Sequence, residues 1–241
     1  MLQLGIQAEP EMLELAEWSK RRHQWRQSQG SISIHMPEPS IKVKGDEVTV
    51  EVLEDSRSRI LVAEMMIMAG EVAAHYGQQH NLPIPYRHQP TPELPSEQEL
   101  LQLPPGPVQA CALRRCMPKS EMSLTPNRHA SLGLDTYTQI TSPIRRYTDL
   151  LSHFQLKAHL RGDSLPFSAN QMQQIVMSVV PVVKEAAMVE RQTARYWGIE
   201  YLRRHPHEVW QALMLRWLRE DENLALILLE DLGLEFAWCI N

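Results

Sequence analysis

The segment TYTQITSPIRRYTDLLSH, residues 136–153, places Arg145 and Arg146 directly after Ser142 and Pro143. Serine is a favoured helix N-cap and proline a favoured first helical residue, so the spacing predicts a helix from about 143 to 161, stopped at Gly162. A helix N-terminus carries partial positive charge and unsatisfied N–H groups, which makes it a poor place for cations and a good one for an anion. A guanidinium is a planar fork that matches phosphate oxygens, so two arginines here have the chemistry of a phosphate site. The plainer alternative is a surface ion pair between Arg145 and Asp149, four residues on. Ile144, Tyr147, Leu151, Phe154 and Ala158 recur at helical spacing and are expected to face a core.

Two acids join them as candidates. Glu190 falls within the apolar series Val183, Ala186, Ala187, Ala194, Trp197 and Tyr201, and a carboxylate on an inward stripe needs a partner or a function. Arg191 and Arg195 flank that stripe and are placed to line a groove. Glu64 sits among Ile60, Ile67, Met68 and Glu71 on an apolar helix. For both glutamates a structural ion pair stands as the alternative to a functional one. Together with the arginine-tipped helix they suggest one polar cavity. Elsewhere His205 and His207 lack further ligands at metal spacing, Glu220, Asp221 and Glu222 read as a charged turn, and Arg114 and Arg115 form a basic pair without an evident partner. No P-loop, GxGxxG, GxSxG or HExxH pattern occurs, and no set of metal ligands is apparent.

The elements that must carry these residues can be drawn from periodicity. Residues 10–28 read as a helix ending before Gly30, SISIH (31–35) as a short strand, and IKVKGDEVTVEVL (41–53) as a hairpin turning at Gly45-Asp46. A helix over 57–80 is apolar nearly all round, which predicts burial on most sides. Residues 83–107 are proline-rich and read as a long loop around the helical piece LPSEQELL. A helical pattern from Phe167 to Arg204 contains Pro181, expected to break or kink it or to begin a second helix. From Trp210 the texture becomes that of a β-hairpin followed by a third strand.

The chain of 241 residues is 43% hydrophobic and 22% charged with a net charge of −5, values of a soluble globular protein that is not a globally basic polyanion binder. Its three cysteines make no disulfide framework, which suits a reducing compartment. No signal-peptide pattern opens the sequence and no uninterrupted apolar run of about 18 residues occurs, so a cytoplasmic location without a membrane span is expected.

LGLDTYTQITSPIRRYTDLLSHFQL (132–156) resembles the signature of the ribonuclease II / ribonuclease R family, whose catalytic RNB domain carries a similar T-S-P-I-R-R-Y-x-D-L segment. RILVAEMMIMAGEVAAH (59–75), LPIPYRHQPTP, MVERQTARYW (188–197) and RRHQWRQSQGSISIHMPEP resemble further family segments in the same order, over roughly residues 10–205. The resemblance implies a 3′-to-5′ exoribonuclease in which single-stranded RNA enters a channel and Mg2+ ions activate a water. It implies that Arg145 is the catalytic arginine, that Glu64 and Glu190 lie near the terminal nucleotide, and that Thr141, Ser142, Arg146, Arg191 and Arg195 help hold the RNA.

Two features depart from the family pattern. The family's aspartate cluster of D-x-D-D type has no counterpart here, so Mg2+ ligands are expected in a missing N-terminal half. Gln139 and Phe154 also stand where histidine and arginine are usual. The expected fold class is α+β: the mostly helical second half of an RNB-type domain with a partial sheet over 1–205, then the first strands of an OB-type barrel over 206–241. Three readings follow: an exoribonuclease that needs a separate chain or segment for its metal ligands, a catalytically silent RNA-binding remnant, and an interaction fragment.

Overall fold

A computed structural model describes residues 9–53 and 56–240. The helices are α1 (Pro10–Ser28), α2 (Arg57–Gln79), α3 (Glu97–Leu101), α4 (Pro107–Cys116), α5 (Tyr147–Arg161) and α6 (Ala169–Arg204). The strands are β1 (Glu38–Lys44), β2 (Glu47–Leu53), β3 (Tyr86–His88), β4 (Glu121–Ser123), β5 (Ala212–Arg219), β6 (Leu224–Leu229) and β7 (Leu234–Cys239). All sheets are small and antiparallel: β1-β2, β3-β4 and β5-β6-β7. The mixed α+β class is as expected.

The chain divides into two compact units. The first takes the described residues of Met1–Ser33, Asp55–Pro92 and Pro118–Lys184. In it α2 starts at Ser56, whose hydroxyl accepts the Arg59 N–H, a side-chain N-cap. Its backbone comes close to the segment leading to residue 142: a Cβ at Gly70 would fall on the Tyr137 ring and the Thr138 carbonyl oxygen. Ala74 packs with Leu82, Ile84 and Tyr86, and α5 contributes Leu151 to a second cluster with Met172 and Val176.

The second unit takes the described residues of Ile34–Glu54, Glu93–Met117 and Glu185–Asn241. The β1-β2 hairpin turns at Gly45, in the left-handed region at φ 60°, as the Gly-Asp pair predicts. One face of the three-stranded sheet gives Leu215 and Leu228 to Val108 and Cys111 of α4. Leu229, Leu232 and Leu234 pack with Ile41, Val50, Tyr201 and Trp210. The acids at 220–222 form the β5-β6 turn, where Arg219 pairs with Glu222 at 2.5 Å.

Several expectations are corrected. SISIH is not a strand; within it the Ile32 N–H reaches the Ser131 carbonyl, outside any ladder. Helix α4 lies at the end of the proline-rich stretch, because Pro107 occupies a first helical turn and Gly106 supplies φ 90° before it. Helix α2 is not buried on most sides, since Ile60, Val62 and Val72 are exposed. Helix α6 runs unbroken through Pro181, whose exposed position leaves the carbonyl it cannot bond open to water. By length and apolarity α2 and α6 are long enough to cross a membrane. However, α2 carries the buried Glu64 and the partly buried Glu71, both ion-paired, and α6 carries Lys184, Glu185, Glu190 and Arg191, groups that are costly in hydrocarbon.

Candidate nucleic-acid interface

Helix α5 begins at Tyr147 with Arg146 as its N-cap, four residues later than the Ser142-Pro143 pair predicts. Residues 143–145 form a turn instead, and the Ser142 carbonyl accepts the N–H groups of Arg145 at 3.2 Å and Arg146 at 2.9 Å. The reason lies in Asp149, which is fully buried. Its Oδ2 accepts the Ser142 backbone N–H at 2.9 Å, Arg146 Nε at 3.0 Å and Arg146 Nη2 at 2.7 Å. That carboxylate folds the turn back over the first turn of the helix, so Ser142 is held by its amide rather than acting as a cap. Arg146 Nη2 also reaches Thr141 Oγ1 at 3.3 Å.

The upstream residues are fixed in the same way. The Arg87 N–H donates to the Tyr137 carbonyl at 2.8 Å, and its guanidinium donates to Gln139 Oε1 at 3.2 Å and to Ser120 Oγ. Thr138 donates from its hydroxyl to the Pro85 carbonyl and from its amide to Gly70. His153 Nε2 donates to the Ile140 carbonyl at 2.7 Å. Burial, aided by Arg146, lowers the Arg87 pKa, while burial raises that of Tyr137. Nearby, burial and then the Arg87 charge bring His129 down to about 4, so its ring is neutral at pH 7.

Arg145 itself is exposed, and no carboxylate pairs with it among the described residues. The Asp149 ion pair belongs to Arg146, three residues away, not to Arg145. The expected inward face of α5 is also revised. Ile144 is wholly exposed and Tyr147 and Phe154 nearly half so, whereas Leu151 and Ala158 are buried beside Thr148, Asp149, Ser152 and Gln155. This inner face is largely polar because it satisfies loop backbone: Gln155 donates to the carbonyls of Pro83 at 3.1 Å and Phe167 at 2.8 Å and accepts the Phe167 N–H.

Glu64 is buried and fully engaged. Arg26 grips it with two guanidinium nitrogens, one at 3.0 Å, and His23 Nδ1 donates at 3.0 Å. Burial pushes the carboxyl up, but these bonds outweigh it and hold the group below its ordinary value. Arg22 makes a parallel pair with Glu71. Glu64 is therefore the structural ion pair of the two readings, and its partner Arg26 comes from α1, not from the arginines of the signature. RRHQWR hints at it: Arg22 and Arg26 are one helical turn apart and Glu64 and Glu71 two turns apart, so each pair shares a face.

In the second unit Glu190 is exposed, as are Ala186 and Ala194 of its supposed inward stripe, and Val183 at the end of the first unit is exposed too. Arg191 lines an open groove with Met36, Glu38, Arg114 and Glu235, in which Arg114 grips Glu235 through two bonds of 2.7 Å. Arg195 borders a cavity of about 330 Å3 with Pro39, Ile41 and Phe236. Glu64 is thus closed off within the first unit by Arg26 and His23, and Glu190 is exposed within the second. No group of three or more metal-ligating side chains occurs among the described residues.

A buttressed T-S-P-I-R-R-Y turn in front of a helix with a polar inner face defines the class. The chain belongs to the RNB domain family, whose profile matches residues 5–162. Among its relatives, an uncharacterized ribonuclease of Synechocystis sp. is 65% identical over 98% of this chain and 35% of its own length. Ribonuclease II, chloroplastic/mitochondrial, of Arabidopsis thaliana is 40% identical over 99% of this chain and 30% of its own. The chain thus spans about a third of the length of these curated relatives. Ribonuclease R of Mycoplasma genitalium, solved in complex with ribose-methylated single-stranded RNA, shares the fold with a TM-score of 0.75 at 19% identity, over 98% of this chain and 43% of that one.

Proposed function

We propose that this chain is part of a 3′-to-5′ exoribonuclease acting on single-stranded RNA, with Arg145 as the arginine that meets the scissile phosphate. One observation carries the reading. Arg145 has no carboxylate partner among the described residues and sits on a turn whose flanking residues Ile140, Thr141, Ser142 and Arg146 are hydrogen-bonded from behind. A cation held out by a rigid frame is preorganised for charge that develops on a phosphate. The relatives named ribonucleases and the RNA-bound relative of the same fold support the substrate class. Thr141 and Ser142 hold the turn, and Arg191 and Arg195 are exposed cations suited to RNA phosphates in the second unit.

Mg2+ does not fit the described residues. The buried acids of the first unit are engaged, Glu64 by Arg26 and His23 and Asp149 through Oδ2 by Arg146, with Asp149 Oδ1 buried and without a hydrogen-bond partner, and no group of three or more metal-ligating side chains is present among the described residues. No step is therefore derived through the metal. On this reading its donors come from a further segment or a separate chain. The same observation favours a second reading, a catalytically silent RNA-binding module.

The two separate on a 5′-labelled, 3′-tailed oligonucleotide assayed with the segment or chain that supplies the metal donors present, because the described residues hold no metal-ligand set. Mg2+-dependent shortening that Arg145→Ala abolishes supports the nuclease. Salt-sensitive binding without shortening supports the binding module. Absence of salt-sensitive binding overturns both, because phosphate contacts release counterions.

A further inference from the structure

The Asp149 carboxylate is wholly buried in the first turn of α5, yet the phosphate reading gives it no role. A single one of its oxygens collects three donors: the Ser142 amide at 2.9 Å and Arg146 Nε and Nη2 at 3.0 and 2.7 Å. These bonds close residues 142–149 into a loop, with Arg145 at its outward end. They also separate the fates of two adjacent arginines. Arg146 is neutralised and half-buried against Asp149, while Arg145 keeps its full charge in solvent. Without the carboxylate, two like charges would sit side by side on a turn held only by the bonds of its Ser142 carbonyl and by the contact of Arg146 with Thr141.

We propose that Asp149 is a positioning residue for RNA phosphate recognition, acting through Arg146 and the Ser142 amide to fix the turn that presents Arg145. This rests on the reading of Arg145 as the phosphate-binding arginine. Arg146 is then part of the latch and contributes no phosphate contact of its own. The latch gains its strength from burial, since a charge-assisted pair shielded from water is weakened little by salt.

The test is a double-mutant cycle on the 241-residue chain. A fluorescein-labelled single-stranded oligonucleotide is titrated by anisotropy at several salt concentrations, with a thermal melt of each variant. Arg145→Ala is expected to weaken binding by about tenfold and to lower the salt slope by about 0.7, the value for one phosphate contact on a single strand. Asp149→Asn keeps the shape and loses the charge. It is expected to weaken binding by a similar factor, and the double variant to be no weaker than either single one. Arg146→Gln, at the more exposed end of the pair, reads the same latch where Asp149→Asn does not fold. A merely structural Asp149 would lower the melting midpoint while its effect on binding added to that of Arg145→Ala.

The outcomes are distinct. If Arg145→Ala leaves affinity and salt slope unchanged, the phosphate reading fails. If Arg145→Ala weakens binding but a folded Asp149→Asn or Arg146→Gln protein binds as tightly as the parent, or the losses add, the positioning role fails alone.

Discussion

A buried histidine gives the residue scale its clearest pH signal. His129 is 7% exposed, flanked by its backbone bridges to Gln89 and Leu134, with its ring edge-on to Tyr137. Burial, and then the Arg87 charge, hold its pKa at about 4, below the ordinary 6.5. A folded-state pKa below the unfolded one means that the unfolded chain binds the proton more readily. The stabilisation is complete above about pH 6.5 and is lost progressively as pH falls to about 4, by about 3 kcal/mol in all. Urea unfolding at pH 7.5, 6, 5 and 4 should show that decline, and His129→Phe should remove most of it down to pH 5. A decline of the same depth in the variant would assign the acid sensitivity to other groups. Glu64, also held below its ordinary value of 4.5, begins to lose its contribution as pH falls through that value and loses the rest at lower pH, so it adds to the decline only at the acid end of the series.

At the scale of elements, helices α1 and α2 are joined by charge as much as by apolar packing. Arg26 and Glu64 are 6% and 2% exposed, so removing one partner strands the other's charge out of water. Glu64→Gln is expected to cost about 3–5 kcal/mol in denaturant melts, whereas Arg26→Met/Glu64→Leu should cost much less. An RNA-contacting Glu64 would behave otherwise, losing oligonucleotide affinity at unchanged stability. Gly70→Ala should also destabilise, because its Cβ has no room against Tyr137 and the Thr138 carbonyl. How well the sequence discloses such elements depends on what satisfies them. Helices α1 and α2, the helical character of α6 though not its unbroken passage through Pro181, and the β1-β2 and β5-β6 hairpins are legible because periodicity and turn residues are local signals. The start of α5 is not, because a side chain seven residues away, Asp149, takes the Ser142 amide that a cap would have taken. Its inner face is misread for a related reason: Ser152 and Gln155 are buried to serve backbone groups, and apolar periodicity does not record that demand. The signature singles out Arg145 as a candidate, and its separation from Asp149, which pairs with Arg146 instead, is a three-dimensional fact.

For the whole molecule, the most telling quantity is the apolar surface along α6. The helix is 36 residues long, and Val182, Val189 and Tyr196, seven residues apart, are 64%, 53% and 60% exposed. Seven residues are almost two full turns, so these three side chains lie along one side of the helix. Met188 and Ile199 are also exposed, as are Ile60, Val62 and Val72 on α2, though these three do not fall on one side of that helix. Single exposed apolar residues are ordinary, but a row of this length on one helix is the mark of a surface that prefers cover. A net charge of −5 gives only modest repulsion against association. The chain is therefore expected to self-associate at micromolar concentration and to bind an apolar fluorescent dye. Val182→Lys with Val189→Glu should restore a monodisperse species in light scattering while leaving the melting midpoint within about a kcal/mol of stability, since exposed positions away from the core tolerate charge. If the parent chain is monomeric and dye-silent at that concentration, the row is adequately solvated and the demand for a covering partner disappears. If the double variant loses the fold instead, the row is packed in solution, and α6 has found its cover within the chain itself.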